Sequence, residues 1–196
     1  MDAAEVLDRP VLGLQRSAVP LPLGLALDTS LLADLLLAAN LGVRWGVEAG
    51  PHRVVLGARW TQFVGSGVYT QLLNTQTTLV RKFDATLSGP TAYALYGLAP
   101  AEGWLVQVEG RYWGYQFPAA TVLAGVQVPL VGALHLALEG GWQLLGRTGP
   151  RGAAGLRFKG EHLGFQLGAA YVDVVEPLVP GGALPVIPTL DLSWTF

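Results

Sequence analysis

Apolar and polar residues alternate along most of this chain. In the run Leu134 to Leu144, the positions Leu134, Leu136, Leu138, Trp142 and Leu144 share one parity, while His135, Ala137, Glu139, Gly141 and Gln143 share the other. Successive side chains of a strand point to opposite faces, so such a run predicts a strand with one apolar and one polar side. The split recurs in Trp104 to Tyr112, where Trp104, Val106, Val108 and Tyr112 oppose Leu105, Gln107, Glu109 and Arg111. It returns with Leu41, Val43, Trp45 and Val47 against Asn40, Arg44 and Glu48, and with Leu163, Phe165, Leu167 and Tyr171 against Gln166. The carboxy-terminal run sets Leu190, Leu192, Trp194 and Phe196 against Thr189, Asp191, Ser193 and Thr195.

Turn residues punctuate these runs at regular intervals. Segments 48–51, 99–103, 129–132 and 159–161 are short and rich in Gly, Pro or charge, the composition of tight strand connections. Between them fall connections of another kind, at 65–88, 117–120, 146–150 and 174–187. The pattern therefore predicts hairpins near 35–48/52–64, 90–98/104–116, 121–129/133–145 and 151–159/162–173, with a last strand at 188–196. Leu21 to Asp28 supplies one more alternating run, although Pro22 suits the start of a strand better than its middle. Ten strands fit best, and eight or twelve stay open because 65–88 is long enough to conceal another pair. Residues 28–40 also carry a helix start at Asp28 or Ser30 and a stop at Asn40 or Gly42, so a short helix competes there with the strand.

Composition narrows the architecture. The chain has 196 residues, 51% hydrophobic and 13% charged, a surplus of apolar side chains that needs a large core or a lipid-facing surface. No segment reaches the roughly 18 to 20 continuous apolar residues of a spanning helix. Lipid tolerates no unpaired backbone, so a closed barrel is the remaining membrane solution. The 26 Gly and 13 Pro argue for many turns and against a helical bundle. A formal net charge of −2 with scattered Lys and Arg gives no footprint for nucleic acid. Cysteine is absent, which removes disulfides and thiolate metal sites. Met1 to Val6 lacks the basic and apolar regions of an export signal, so for an exported protein the chain reads as the mature part.

The aromatic residues separate a soluble sandwich from a membrane barrel. Counted from the short turns, Trp60, Tyr112, Trp142 and Tyr171 fall about eight positions into their strands, all on the apolar face. Eight residues at about 3.3 Å rise and about 40° tilt climb roughly 20 Å, close to the ~25 Å apolar band of an outer-membrane barrel. Trp45, Trp104, Phe158, Trp194 and Phe196 stand near the turns themselves and would form the lower girdle. With its closing Trp194-Thr195-Phe196, the chain resembles bacterial outer-membrane β-barrel proteins, by architecture the small barrels of the OmpA and OmpW-like groups. The resemblance implies an all-β, antiparallel, up-and-down transmembrane barrel over 20–196, preceded by a periplasmic segment, 1–19. It further implies outer-membrane lipid around the barrel, short turns towards the periplasm, and recognition of the last strand by the barrel assembly machinery.

The polar parity then faces a lumen. Arg44, Arg59, Glu109, Arg111, His135, Glu139, Arg157, Lys159 and Asp191 fall there, and an interior of eight to ten strands is about wide enough for side chains to fill. Acids and bases are expected to pair, since burying either alone costs several kcal/mol. A narrow polar pathway is the functional alternative. His52, His135 and His162 lie far apart, without a neighbouring nucleophile or a metal-ligand spacing. The sequence therefore predicts no catalytic residue, metal or cofactor. The expected role is structural anchoring or narrow passage, with a carrier for small hydrophobic ligands as the alternative and a lipid-modifying enzyme third. Loops 66–87 and 174–187 are the places for any more specific activity.

Overall fold

The computed structural model describes residues 7–35, 38–64, 88–115, 118–146, 148–172 and 186–196. Its strands are β1 (Val11–Gly13), β2 (Ser17–Pro20), β3 (Leu25–Thr29), β4 (Ala38–Ala49), β5 (His52–Phe63), β6 (Gly89–Leu98), β7 (Leu105–Trp113), β8 (Ala119–Val131), β9 (Leu134–Leu145), β10 (Gly149–Lys159), β11 (Leu163–Val172) and β12 (Val186–Thr195). Each strand pairs antiparallel with its neighbours in the chain, and β1 pairs with β12 through Val11↔Thr195, Leu12↔Trp194 and Gly13↔Ser193. The sheet is thus a closed barrel.

The barrel has twelve strands where the alternation favoured ten. Residues 65–87, long enough to conceal another pair, lie outside the described residues. The extra pair is β1 and β2, which lie almost wholly in the stretch 1–19 that the alternation leaves outside the barrel. These strands have three and four residues, too few to carry a readable period. The ambiguity at 28–40 resolves into both elements. Helix α1 (Leu31–Leu35) forms a single turn, with Ser30 Oγ accepting the Ala33 N–H at 3.3 Å as an N-cap does. Strand β4 then starts at Ala38, three residues later than expected. Asn40 ties the two together: its Oδ1 accepts the Ser30 N–H at 2.8 Å and its Nδ2 donates to Asp34 Oδ1 at 3.0 Å.

Connections 50–51, 99–104, 132–133 and 160–162 gather at one end of the barrel, and Phe63, Gly89, Trp113, Ala119, Leu145, Gly149, Val172 and Val186 end or begin their strands at the other. Gly50 (φ 59°) and Gly132 (φ 54°) supply the left-handed residue that each two-residue turn demands. Along the strands the parities separate cleanly. Leu41, Trp60, Val108, Leu144, Leu167 and Leu190 point outward and are exposed, whereas Arg44, Gln107, Glu109, Gln127, His135 and Gln143 point inward and are buried. In water the outer face would forgo about 25 cal/mol for every Å² of apolar surface left wet.

The interior itself is uneven. On β5 and β6, Val55 and Leu95 form a small buried apolar cluster against the half-buried Tyr93. On β10 and β11, small residues such as Ala153, Gly155, Gly168 and Ala170 face inward and stay partly accessible. Among the described residues, large buried side chains thus gather on the β4–β7 side, the more filled part of the interior, and small accessible ones on β10 and β11.

Glycines let the filled side pack. Gly57 stands beside Tyr93 across the β5–β6 pair, and a Cβ at Gly57 would lie 2.2 Å from Tyr93 Cζ. Gly57→Ala should cost about 1–3 kcal/mol by overpacking, and in a Tyr93→Ala background its cost should fall near zero. Reversible unfolding of the two single variants and the double variant checks this; equal costs in both backgrounds would remove the ring as the cause.

Candidate functional site in the barrel lumen

The polar interior is built in layers across the sheet register. Asp28 on β3 pairs with Gly42 on β4, and Gly42 with Arg59 on β5. Gly42 has no side chain to stand between its neighbours; a Cβ there would fall 2.0 Å from Asp28 Oδ1. The Arg59 guanidinium therefore reaches across β4 and meets Asp28, Nη2 to Oδ2, at 3.1 Å. The next layer runs Arg44, Gly57, Tyr93, Arg111. The Arg111 guanidinium lies 5.4 Å from the Tyr93 ring centroid and 5.8 Å from that of Trp113, and its Nε bridges to Glu109. Both acids are almost fully buried, and a carboxylate in that position needs its cation.

Two cavities open in the interior, one of them against these layers. The upper one, about 250 Å³, lies under α1 and is lined by Ser30, Asn40, Arg59, Tyr93, Arg111 and Trp113 among others. The lower one, about 180 Å³, lies against β10–β12 near the short turns, where Arg16, Arg157, Lys159, Gln166 and Asp191 contribute. Asp191 Oδ1 accepts the Gln15 N–H at 3.1 Å, which anchors the β1–β2 turn on β12.

The polar residues expected in the lumen fall on three parts of it. Arg44, Arg59, Glu109 and Arg111 share the filled β4–β7 side. His135 is buried low on β9, its Nδ1 bonded to the Ala133 carbonyl at 3.0 Å. Glu139 is half-buried higher on the same strand, while Arg157 and Asp191 line the lower cavity. Asp28 and Arg16 belong with them yet escaped the sequence reading. Asp28 closes an apolar run, and Arg16 precedes the predicted barrel. The parity Asp28–Gly42–Arg59 becomes a signal only once the register is known.

The aromatic residues occupy both ends of the outer face. Trp60, Tyr112, Trp142 and Tyr171 lie near the carboxy-terminal ends of β5, β7, β9 and β11, all exposed. Trp45, Trp104, Phe158, Trp194 and Phe196 are exposed at the end that holds the short connections. Tyr96 joins this second set, with its hydroxyl bonded to His52 Nδ1 at 2.7 Å. His162 donates to the Thr195 carbonyl at 2.9 Å and stacks on Trp194. Of the two candidate loops, 66–87 and 174–185 lie outside the described residues, and Val186 and Ile187 begin β12.

No protein-family model matches this sequence, and neither the curated proteins nor the solved structures compared with it give a match. Arg59→Met would leave the Asp28 carboxylate buried without its cation and should cost about 3–5 kcal/mol. Adding Asp28→Asn should recover much of that loss. Unfolding free energies that simply add across the two substitutions would deny the coupling.

Proposed function

We propose that this protein is an integral outer-membrane β-barrel of the bacterial envelope whose lumen provides a narrow polar passage rather than a catalytic site. The observation that carries this reading is the inverted side-chain distribution: exposed leucine, valine and tryptophan outside, buried arginine, glutamate and glutamine inside. That is the arrangement hydrocarbon selects, since every strand of a closed barrel satisfies its backbone internally while its outer parity meets lipid. The two aromatic sets fit the two membrane interfaces, which directs the short turns towards the periplasm.

The unequal interior favours passage over a solid plug. Inward residues on β4–β9 include many buried side chains, whereas those on β10–β12, among them Ala153, Ala170, Thr189 and Ser193, stay partly accessible. Water and small polar solutes would follow that strip between the ends of the barrel. Catalysis has less support: His52 bonds a phenol, and His135 and His162 bond backbone carbonyls.

Two measurements test the reading. In planar bilayers the protein should give small, discrete conductance steps, and Ala153→Trp, which inserts a bulky ring into the accessible strip, should cut them by at least about half through steric occlusion. Absence of any conductance would leave a plugged anchor. For the membrane itself, Leu138→Arg should cost about 2–4 kcal/mol and Leu144→Arg, nearer the upper aromatic set, about 0–1 kcal/mol. Unfolding from lipid that gave equal costs at both positions would deny the depth assignment.

A further inference from the structure

Charge inside the barrel does not balance. The pairs Arg59–Asp28 and Arg111–Glu109 cancel. Among the described residues, Arg16, Arg44, Arg151, Arg157 and Lys159 then share the interior with the carboxylates of Asp34, Glu139 and Asp191. This surplus is positive although the chain as a whole carries −2. A low-dielectric wall focuses such a field into the lumen and concentrates anions there.

The surplus has a local centre in the lower cavity. Arg16, Arg157 and Lys159 converge on it from the β1–β2 turn and from β10. Among the described residues, neither the Arg16 nor the Arg157 side chain has a hydrogen-bond acceptor or an ion-pair partner, and Arg16 Nε is shielded from solvent as well. Among the described lining residues the one carboxylate, Asp191, already accepts the Gln15 N–H. Gln166, Ser193 and Thr195 add neutral polar groups to the lining. Partly buried guanidinium groups without acceptors are costly unless something supplies oxygen atoms, and their planar forks match an oxyanion in two-point contact better than a spherical halide. A volume of about 180 Å³ has room for such an ion together with water molecules of ~30 Å³ each.

We propose that this cavity is a binding site for a small oxyanion of the phosphate or carboxylate class, held by Arg16, Arg157 and Lys159. The proposal rests on the lumen reading for the ion's route of entry, and its chemistry stands apart from conduction. The test is titration of the detergent-folded protein with inorganic phosphate at constant ionic strength, followed by calorimetry and by the unfolding temperature. Phosphate should bind and raise the unfolding temperature, and Arg16→Gln with Arg157→Gln should weaken binding at least about tenfold through loss of charge-assisted bonds. Arg9→Gln, an exposed site outside the lining, should leave it unchanged. Asp191→Asn keeps an acceptor for the Gln15 N–H while removing the opposing charge, so it should tighten phosphate binding several-fold; it also decides the matter if the arginine variants do not fold. No phosphate binding, binding indifferent to these substitutions, or equal protection by chloride would overturn the site. Phosphate binding without bilayer conductance would keep the site and remove the passage, and conductance without phosphate binding would do the reverse.

Discussion

Closure of the sheet by β1 against β12 is the constraint on which the other features depend. Among the described residues, Val11–Gly13 supplies the strand pairing to β12 at the seam, with the Phe196 N–H donating to the Pro10 carbonyl at 3.2 Å on one side and Leu14 to the Leu192 carbonyl at 2.9 Å and Gln15 Nε2 to the Leu190 carbonyl at 3.0 Å on the other. Once the sheet is closed, the two parities of every strand become an inside and an outside. A polar residue of inward parity must then find partners across the lumen, and an apolar residue of outward parity has only the surroundings to meet. The seam also fixes the lower cavity, because the β1–β2 turn that completes it carries Arg16 and Gln15 into the interior.

Within that closure, glycine placement decides where the interior fills. At Gly42 and Gly57 a missing Cβ gives space to the neighbouring Asp28 and Tyr93 side chains, so large polar groups of β3 to β7 can lie across the barrel and meet. On β10 and β11 the inward glycines and alanines face one another, Gly155 opposite Gly168 and Ala153 opposite Ala170, and the atoms nearest a Cβ at either glycine are backbone or the Thr189 hydroxyl. One residue type thus serves opposite ends. Beside arginine, aspartate or tyrosine it permits packing, and beside another small residue it leaves a groove.

Buried ion pairs are weak sources of stability, because desolvation offsets most of the attraction. Their value in this lumen lies in placement. Asp28 holds Arg59, and Glu109 holds Arg111, which fixes the bulky side chains against the β3–β7 wall. Arg151 on β10 and Arg16, Arg157 and Lys159 at the lower cavity lie away from these two pairs, so the placement of the pairs also determines which part of the interior is electropositive.

The sequence by itself determined the barrel class, the strand positions from residue 38 onward and the face of nearly every residue in them. Period-2 alternation is a local property, and short turns with Gly50 or Gly132 mark their own ends. It could not supply the first two strands. Runs as short as Val11–Gly13 and Ser17–Pro20 have no period of their own and become strands only because β12 and β3 offer them open edges to pair with. Arg44, Arg59, Glu109 and Arg111 were legible as inward residues from parity, but parity does not say which of them meet. Arg59 meets Asp28 across an intervening strand, and Arg16 meets the Arg157 cavity from the far end of the chain. Such encounters follow from register and closure, which arise only when distant segments pair, so they belong to the tertiary structure alone.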